Sequence, residues 1–270
     1  MRKSFAAIVA ALCMTAGSAP AQTPDFAHFA YDKSAPLRMK QVSVKTKGGV
    51  TIEDITYSGV HGDTVPATLV IPKGPGKFAG VLWGHWLMDG AANANRSEFL
   101  DEAVALAPSG VISLLIDDAH VRPGFKPVPG MGPGLMAQQV IDLRRGLDLL
   151  LARPDIDAAR TAYVGHSYDS VAGSILDATD KRFGAFVFMG GPQLGFGFAK
   201  PYVSKLGPAP ALFQYGLHDD EFVPVAAAKA YVAQASGPKT VKFYDAGHAL
   251  NAKAEADRDA FLRRMLKLAP

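Results

Sequence analysis

Thr161-Ala162-Tyr163-Val164-Gly165-His166-Ser167-Tyr168-Asp169 joins a short β-prone, apolar run to a segment of helical character, Tyr168 to Ala178. A strand that passes into a helix over so short a turn holds the middle residue, Ser167, in a strained conformation with its side chain projecting upward. The helix aims its first N–H groups at the same place, which suits a developing negative charge. Ser167 therefore reads as a nucleophile; the plainer alternative is a helix N-cap. The usual G-x-S-x-G pattern ends in glycine, and here Asp169 stands in its place. Packing against the strand is tight at that position, so Asp169 must tilt outward or find a partner.

A serine hydroxyl needs a base, and the base needs an orienting acid. Tyr244-Asp245-Ala246-Gly247-His248 puts a histidine directly after the last predicted strand, and His248 is the expected base. Asp219, Asp220 and Glu221 compete for the acid after the strand Ala211 to Tyr215. Asp220 is the choice, because it stands four residues before Pro224 in a D-x-x-x-P turn; Asp219, three after Gly216, is the alternative. Ser, Asp and His then follow the chain order of α/β-hydrolases, unlike the chymotrypsin and subtilisin orders. An oxyanion hole requires two backbone N–H groups. One is expected from Tyr168 and the other from His85, with Trp86 next, in the Trp83-Gly84-His85-Trp86 loop.

Around these residues the chain alternates. Residues 41–47, 50–57 and Val65 to Ile71 read as antiparallel strands, the first two joined at Lys47-Gly48-Gly49. Strands at Gly80 to Gly84, Val111 to Ile116, Thr161 to Gly165, Gly184 to Met189, Ala211 to Tyr215 and Thr240 to Tyr244 then alternate with helical segments. Those helices fall at Asn95 to Ala107, Gly134 to Ala152, Tyr168 to Ala178, Val225 to Gln234 and Ala254 to Lys267. This rhythm predicts an α/β fold with a mostly parallel sheet, an antiparallel N-terminal part and helices on both faces. Ligands bind beyond the carboxyl ends of such strands, where every residue singled out above falls. The Gly/Pro-rich stretches 119–134 and 190–208 are expected to form walls or a lid. Trp83, Trp86, Phe125, Phe196 and Phe198 hint at an aromatic-lined pocket.

The 270 residues are 49% hydrophobic and 20% charged, which supports a sizeable core. Arg2 and Lys3, the apolar run Phe5 to Met14 and the A-x-A site Ala19-Pro20-Ala21 read as a signal peptide over 1–21. A single domain over 22–270 and a periplasmic or secreted location are expected. Cys13, the sole cysteine, lies in the leader, so cysteine chemistry and disulfides leave the mature chain. Loss of Arg2 and Lys3 lowers Lys+Arg from 28 to 26 against 25 acidic residues, and no basic stripe points to nucleic acid. No H-E-x-x-H, dinucleotide or P-loop fingerprint is present, so neither metal nor cofactor is expected; Asp117-Asp118-Ala119-His120 begins the first lid stretch.

The chain resembles the α/β-hydrolases, and within them the dienelactone hydrolase and acetyl xylan esterase-like branch. The resemblance is carried by Val65 to Pro72, Val140 through Asp157 into Tyr163 to Ser167, Asp220 to Pro224, and Tyr244 to His248. Dienelactone hydrolases proper use cysteine where this chain has Ser167. The resemblance implies a small-molecule ester or related acyl substrate, no cofactor and the triad roles above. A serine peptidase of the same fold and a binding protein that kept the fold are the rivals.

Overall fold

Lys47 faces Val50 across a two-residue turn in which Gly48 and Gly49 both have positive φ, +59° and +82°. That is the conformation a tight hairpin requires and that glycine adopts without steric cost. In this computed structural model the described residues are 23–59, 63–88, 90–124, 133–193 and 199–269. The predicted leader, and Phe125, Phe196 and Phe198 of the two lid stretches, lie outside them.

The hairpin strands β1 (Lys40–Lys47) and β2 (Val50–Ser58) pair antiparallel, and β3 (Thr64–Ile71) continues the pattern. Six further strands follow: β4 (Phe78–Gly84), β5 (Val111–Ile116), β6 (Ile156–His166), β7 (Ala185–Met189), β8 (Ala211–Gly216) and β9 (Lys239–Tyr244). Together they form one sheet of order β1-β2-β3-β5-β4-β6-β7-β8-β9. β3 meets β5 antiparallel, and every neighbour beyond is parallel. The helices are α1 (Leu100–Leu106), α2 (Pro133–Leu151), α3 (Tyr168–Thr179), α4 (Val225–Gln234) and α5 (Ala252–Leu266).

Side chains alternate across the strands and so divide between the two faces of the sheet. Tyr163, Phe186, Phe188, Phe213 and Tyr215 face α2, α3 and α4, packing with Val140, Leu147, Val171 and Tyr231. The smaller Ala162, Val164, Ala185 and Val187 face α1 and α5, beside Leu106, Phe261 and Leu262. Both layers are closed, which is why the central strands read as continuous apolar runs. β1 differs from its alternating pattern: it lies at the sheet edge and is exposed along its whole length.

One predicted helix is shorter than its sequence suggests. Helix is expected from Asn95, but α1 begins at Leu100. Asn95 Oδ1 accepts from the Ser97 N–H at 2.8 Å, a local turn that competes with the helix. Asp117 takes both the Arg96 N–H (2.8 Å) and its guanidinium (2.5 Å), and so pulls Arg96 toward β5. The resulting turn brings Glu98 to the end of the sheet.

Candidate active site

Ser167 sits between β6 and α3 with φ 54° and ψ −112°, a region that a non-glycine residue occupies only under strain. Its N–H donates to Met189 O at 2.7 Å, which ties the turn to β7. Its hydroxyl makes no capping bond to the helix. Instead Ser167 Oγ lies 2.8 Å from His248 Nε2. His248 is buried, with Phe222 against its ring at a centroid distance of 4.6 Å.

The carboxylate that meets His248 belongs to Asp219, whose Oδ2 lies 2.6 Å from His248 Nδ1. Asp220, expected as the acid, is exposed, so the turn-spacing assignment is corrected to the alternative. Beyond β8 the chain does not turn at once. Leu217 and His218 donate to Tyr244 O and Ala246 O, at 2.8 and 3.0 Å, and extend the pairing with the histidine's own loop. The next residue, Asp219, then folds beneath the ring, and Asp220 is carried past it into solvent.

His85 and Tyr168, the expected oxyanion donors, lie at the ends of β4 and β6. Tyr168 opens α3, where the first N–H groups have no intrahelical acceptor. Among the described residues no backbone acceptor takes the N–H of either residue. The His85 ring is buried: its Nε2 accepts from the Asp118 N–H at 2.9 Å, and its Nδ1 therefore donates to Trp86 O at 2.7 Å. The ring braces the loop. Trp86, second in line as a donor, gives its N–H to Glu98 Oε2 at 2.7 Å, so that group is committed elsewhere.

Asp169 does not tilt outward. It is fully buried, and Gln139 Nε2 donates to its Oδ1 at 2.7 Å. Its carboxyl fills the space above Gly84, where an added Cβ would fall 2.3 Å from Oδ2. The missing glycine of the elbow is thus compensated by a glycine at the end of the neighbouring strand. Burial, and then the nearby charge of Asp118, push the Asp169 carboxyl well above the ordinary carboxylate range. Asp118 is buried too, yet its pairing with His120 outweighs that cost and holds it below that range. The two shifts run in opposite directions: burial disfavours charge on Asp169, whereas the contact with His120 favours it on Asp118.

This arrangement has a measurable consequence. A buried group whose folded pKa is raised supports the fold below its unfolded pKa, and that support is lost as pH rises through the folded value. Asp169→Asn keeps an acceptor for Gln139 and has no charge to bury. It is expected to stabilise the protein by about 1–3 kcal/mol near neutral pH. Thermal unfolding should show a larger gain at pH 8 than at pH 5. An equal gain at both would mean that the carboxyl is already ionised in the fold.

The carboxylates of Asp117 and Asp118 are engaged by Arg96 and His120, and no group of three metal-binding side chains occurs among the described residues. A cavity of about 260 Å³ adjoins His120 and is lined by Leu87, Met88, Ala91, Ala94 and Val121. Among the described residues no helix is long and apolar enough to cross a membrane.

No protein-family model matches the chain, and no curated protein matches it in sequence. Solved structures do. An acetyl xylan esterase from a Paenibacillus species superposes with a TM-score of 0.68 at 21% identity, over 86% of this chain and 90% of that one. Acetyl xylan esterase 1 from a Thermoanaerobacterium species gives 0.67 at 15% identity, over 85% and 88%. A glucuronoyl esterase from Solibacter usitatus gives 0.62 at 14% identity, over 96% and 91%. The chain has the α/β-hydrolase fold, in the form these esterases share.

Proposed function

We propose that this α/β-hydrolase-fold chain is an exported serine hydrolase that cleaves a carboxylic ester through an acyl-enzyme. Ser167, His248 and Asp219 are its triad. The reading rests above all on the continuous line of contacts from Ser167 Oγ to His248 Nε2 and from His248 Nδ1 to Asp219 Oδ2, at the strand ends of that fold. The esterase names of its structural neighbours support it. Export rests on the order of basic start, apolar run and small-residue site in the first 21 residues.

Each step follows from the contacts. His248 Nε2 takes the hydroxyl proton as Ser167 Oγ attacks the carbonyl carbon. The negative charge on the tetrahedral oxygen is met by the N–H groups of Tyr168 and His85, fixed in place before the reaction and so needing no reorganisation. Nε2–H then protonates the departing alkoxide, which leaves the acyl-enzyme. His248 next deprotonates a water, the second tetrahedral intermediate collapses, and the carboxylic acid is released with Ser167 restored. Asp219 stays ionised throughout, accepting from Nδ1–H and stabilising the imidazolium.

The test is covalent. A fluorophosphonate probe is expected to label the purified protein on the Ser167 peptide, in parallel with hydrolysis of p-nitrophenyl acetate. Two neighbours are acetyl xylan esterases, so a series of p-nitrophenyl esters of rising acyl length should favour the shortest. A folded protein that neither reacts with the probe nor turns over any ester in the series would be a binding protein on a hydrolase scaffold. Faster cleavage of aminoacyl amides than of esters would make it a peptidase.

A further inference from the structure

Glu98 and His166 belong to neither the triad nor the proposed oxyanion hole, yet both are largely buried beside them. Glu98 Oε2 accepts the Trp86 N–H at 2.7 Å, one residue beyond His85. Glu98 Oε1 lies 2.5 Å from His166 Nδ1. His166 Nε2 lies 3.0 Å from the main-chain oxygen of His248. A carbonyl oxygen only accepts, so Nε2 carries a proton and donates. Nδ1 and Oε1 must then share one further proton, because two acceptors would repel at that distance.

The rings reinforce this chain of bonds. Trp86 stacks on His166 with centroids 5.1 Å and planes 14° apart, and His166 and His248 approach to 5.3 Å. Gly190, at φ +54°, lets them close: an added Cβ would lie 3.1 Å from both His166 Nε2 and His248 Cε1. Leu250, two residues after His248, holds a strained φ of 63°, so the histidine loop is constrained on its far side as well.

We propose that Glu98 and His166 are positioning residues for the reaction. Together they lock the oxyanion loop, the nucleophile turn and the loop of His248 into one hydrogen-bonded frame. The inference rests on the serine hydrolase reading of the same site. His166 precedes the nucleophile directly in the chain, and its Nε2 reaches the main-chain oxygen of His248. From there it can grip His248 by its backbone while Asp219 and Ser167 hold the ring. Without this grip the imidazole keeps its acid partner but loses its fixed distance to Ser167 Oγ.

Glu98→Met keeps the side-chain bulk and removes both acceptors. His166→Phe keeps the stack on Trp86 and removes both nitrogens. Each is expected to lower kcat for p-nitrophenyl acetate by about 30-fold with KM changed less than about threefold, because misplacement of a catalytic group is felt in the chemical step. Glu98→Gln still accepts from Trp86 through its oxygen, and its NH₂ can donate to a neutral Nδ1. It should recover turnover to within about fivefold of the parent enzyme. Proton NMR of histidine-labelled protein supplies a readout that a purely structural role would not move. The low-field His248 Nδ1–H resonance should broaden in the Met and Phe variants and persist in the Gln variant. Folded Met and Phe variants with parental kcat and an unchanged resonance would overturn the proposal. If one of the two fails to fold, the other decides. Parallel assay of Ser167→Ala separates the two failures: an active alanine variant removes the hydrolase reading itself, whereas an inactive one beside fully active Met and Phe variants removes only the frame.

Discussion

Ser167→Ala is expected to lower kcat for p-nitrophenyl acetate by about 10⁶-fold, the scale on which a triad nucleophile acts. The substitution removes one oxygen from a half-buried position whose backbone is held independently by Met189 O. The hydroxyl caps nothing in α3, so the helix loses no bond. Thermal unfolding should therefore stay within a few degrees of the parent. Residual turnover should resemble that of the oxyanion donors and binding alone, since the donors proposed, the backbone N–H groups of His85 and Tyr168, are left in place by the substitution. Parental turnover from the alanine variant would remove the nucleophile assignment.

Asp219→Asn should cost about 10⁴-fold in kcat. The carboxylate accepts from Nδ1–H and so leaves Nε2 with the lone pair that Ser167 needs. An asparagine amide would donate to Nδ1 and place the ring proton on Nε2, where it faces the serine and blocks proton transfer. Asp220→Asn changes an exposed carboxylate and is expected to stay within about twofold of the parent. Measured side by side, the two variants distinguish the buried acid from its exposed neighbour. The opposite ranking would return the role to Asp220 and imply a different loop conformation in solution.

The contrast between these aspartates shows where local sequence stops being informative. Asp219, Asp220 and Glu221 are adjacent and chemically alike, and motif spacing favours Asp220. What selects Asp219 is the two-residue extension of pairing between Leu217-His218 and Tyr244-Ala246, a contact between segments nearly thirty residues apart. The Trp86 N–H is a similar case. As a sequence position it is a sound oxyanion donor. It is excluded because Glu98, twelve residues on, arrives at it through a turn that Asp117 helps to shape. Asp169 stands where the elbow motif has glycine, and its fit depends on Gly84, whose closeness only strand pairing reveals.

By itself the sequence determined the alternation of strands and helices, the antiparallel opening, the strand-to-helix turn at Ser167 and a histidine after the last strand. Each is a local property, written in the period of apolar residues and in the placement of glycines, and is therefore legible from one chain. The tertiary structure alone decided which carboxylate lies beneath His248, which partners the buried Asp118 and Asp169 meet, and which side chains surround the loops near the serine. Those outcomes depend on distances of a few ångströms between residues far apart in the chain, and on a burial that exists only once the sheet has closed on both faces.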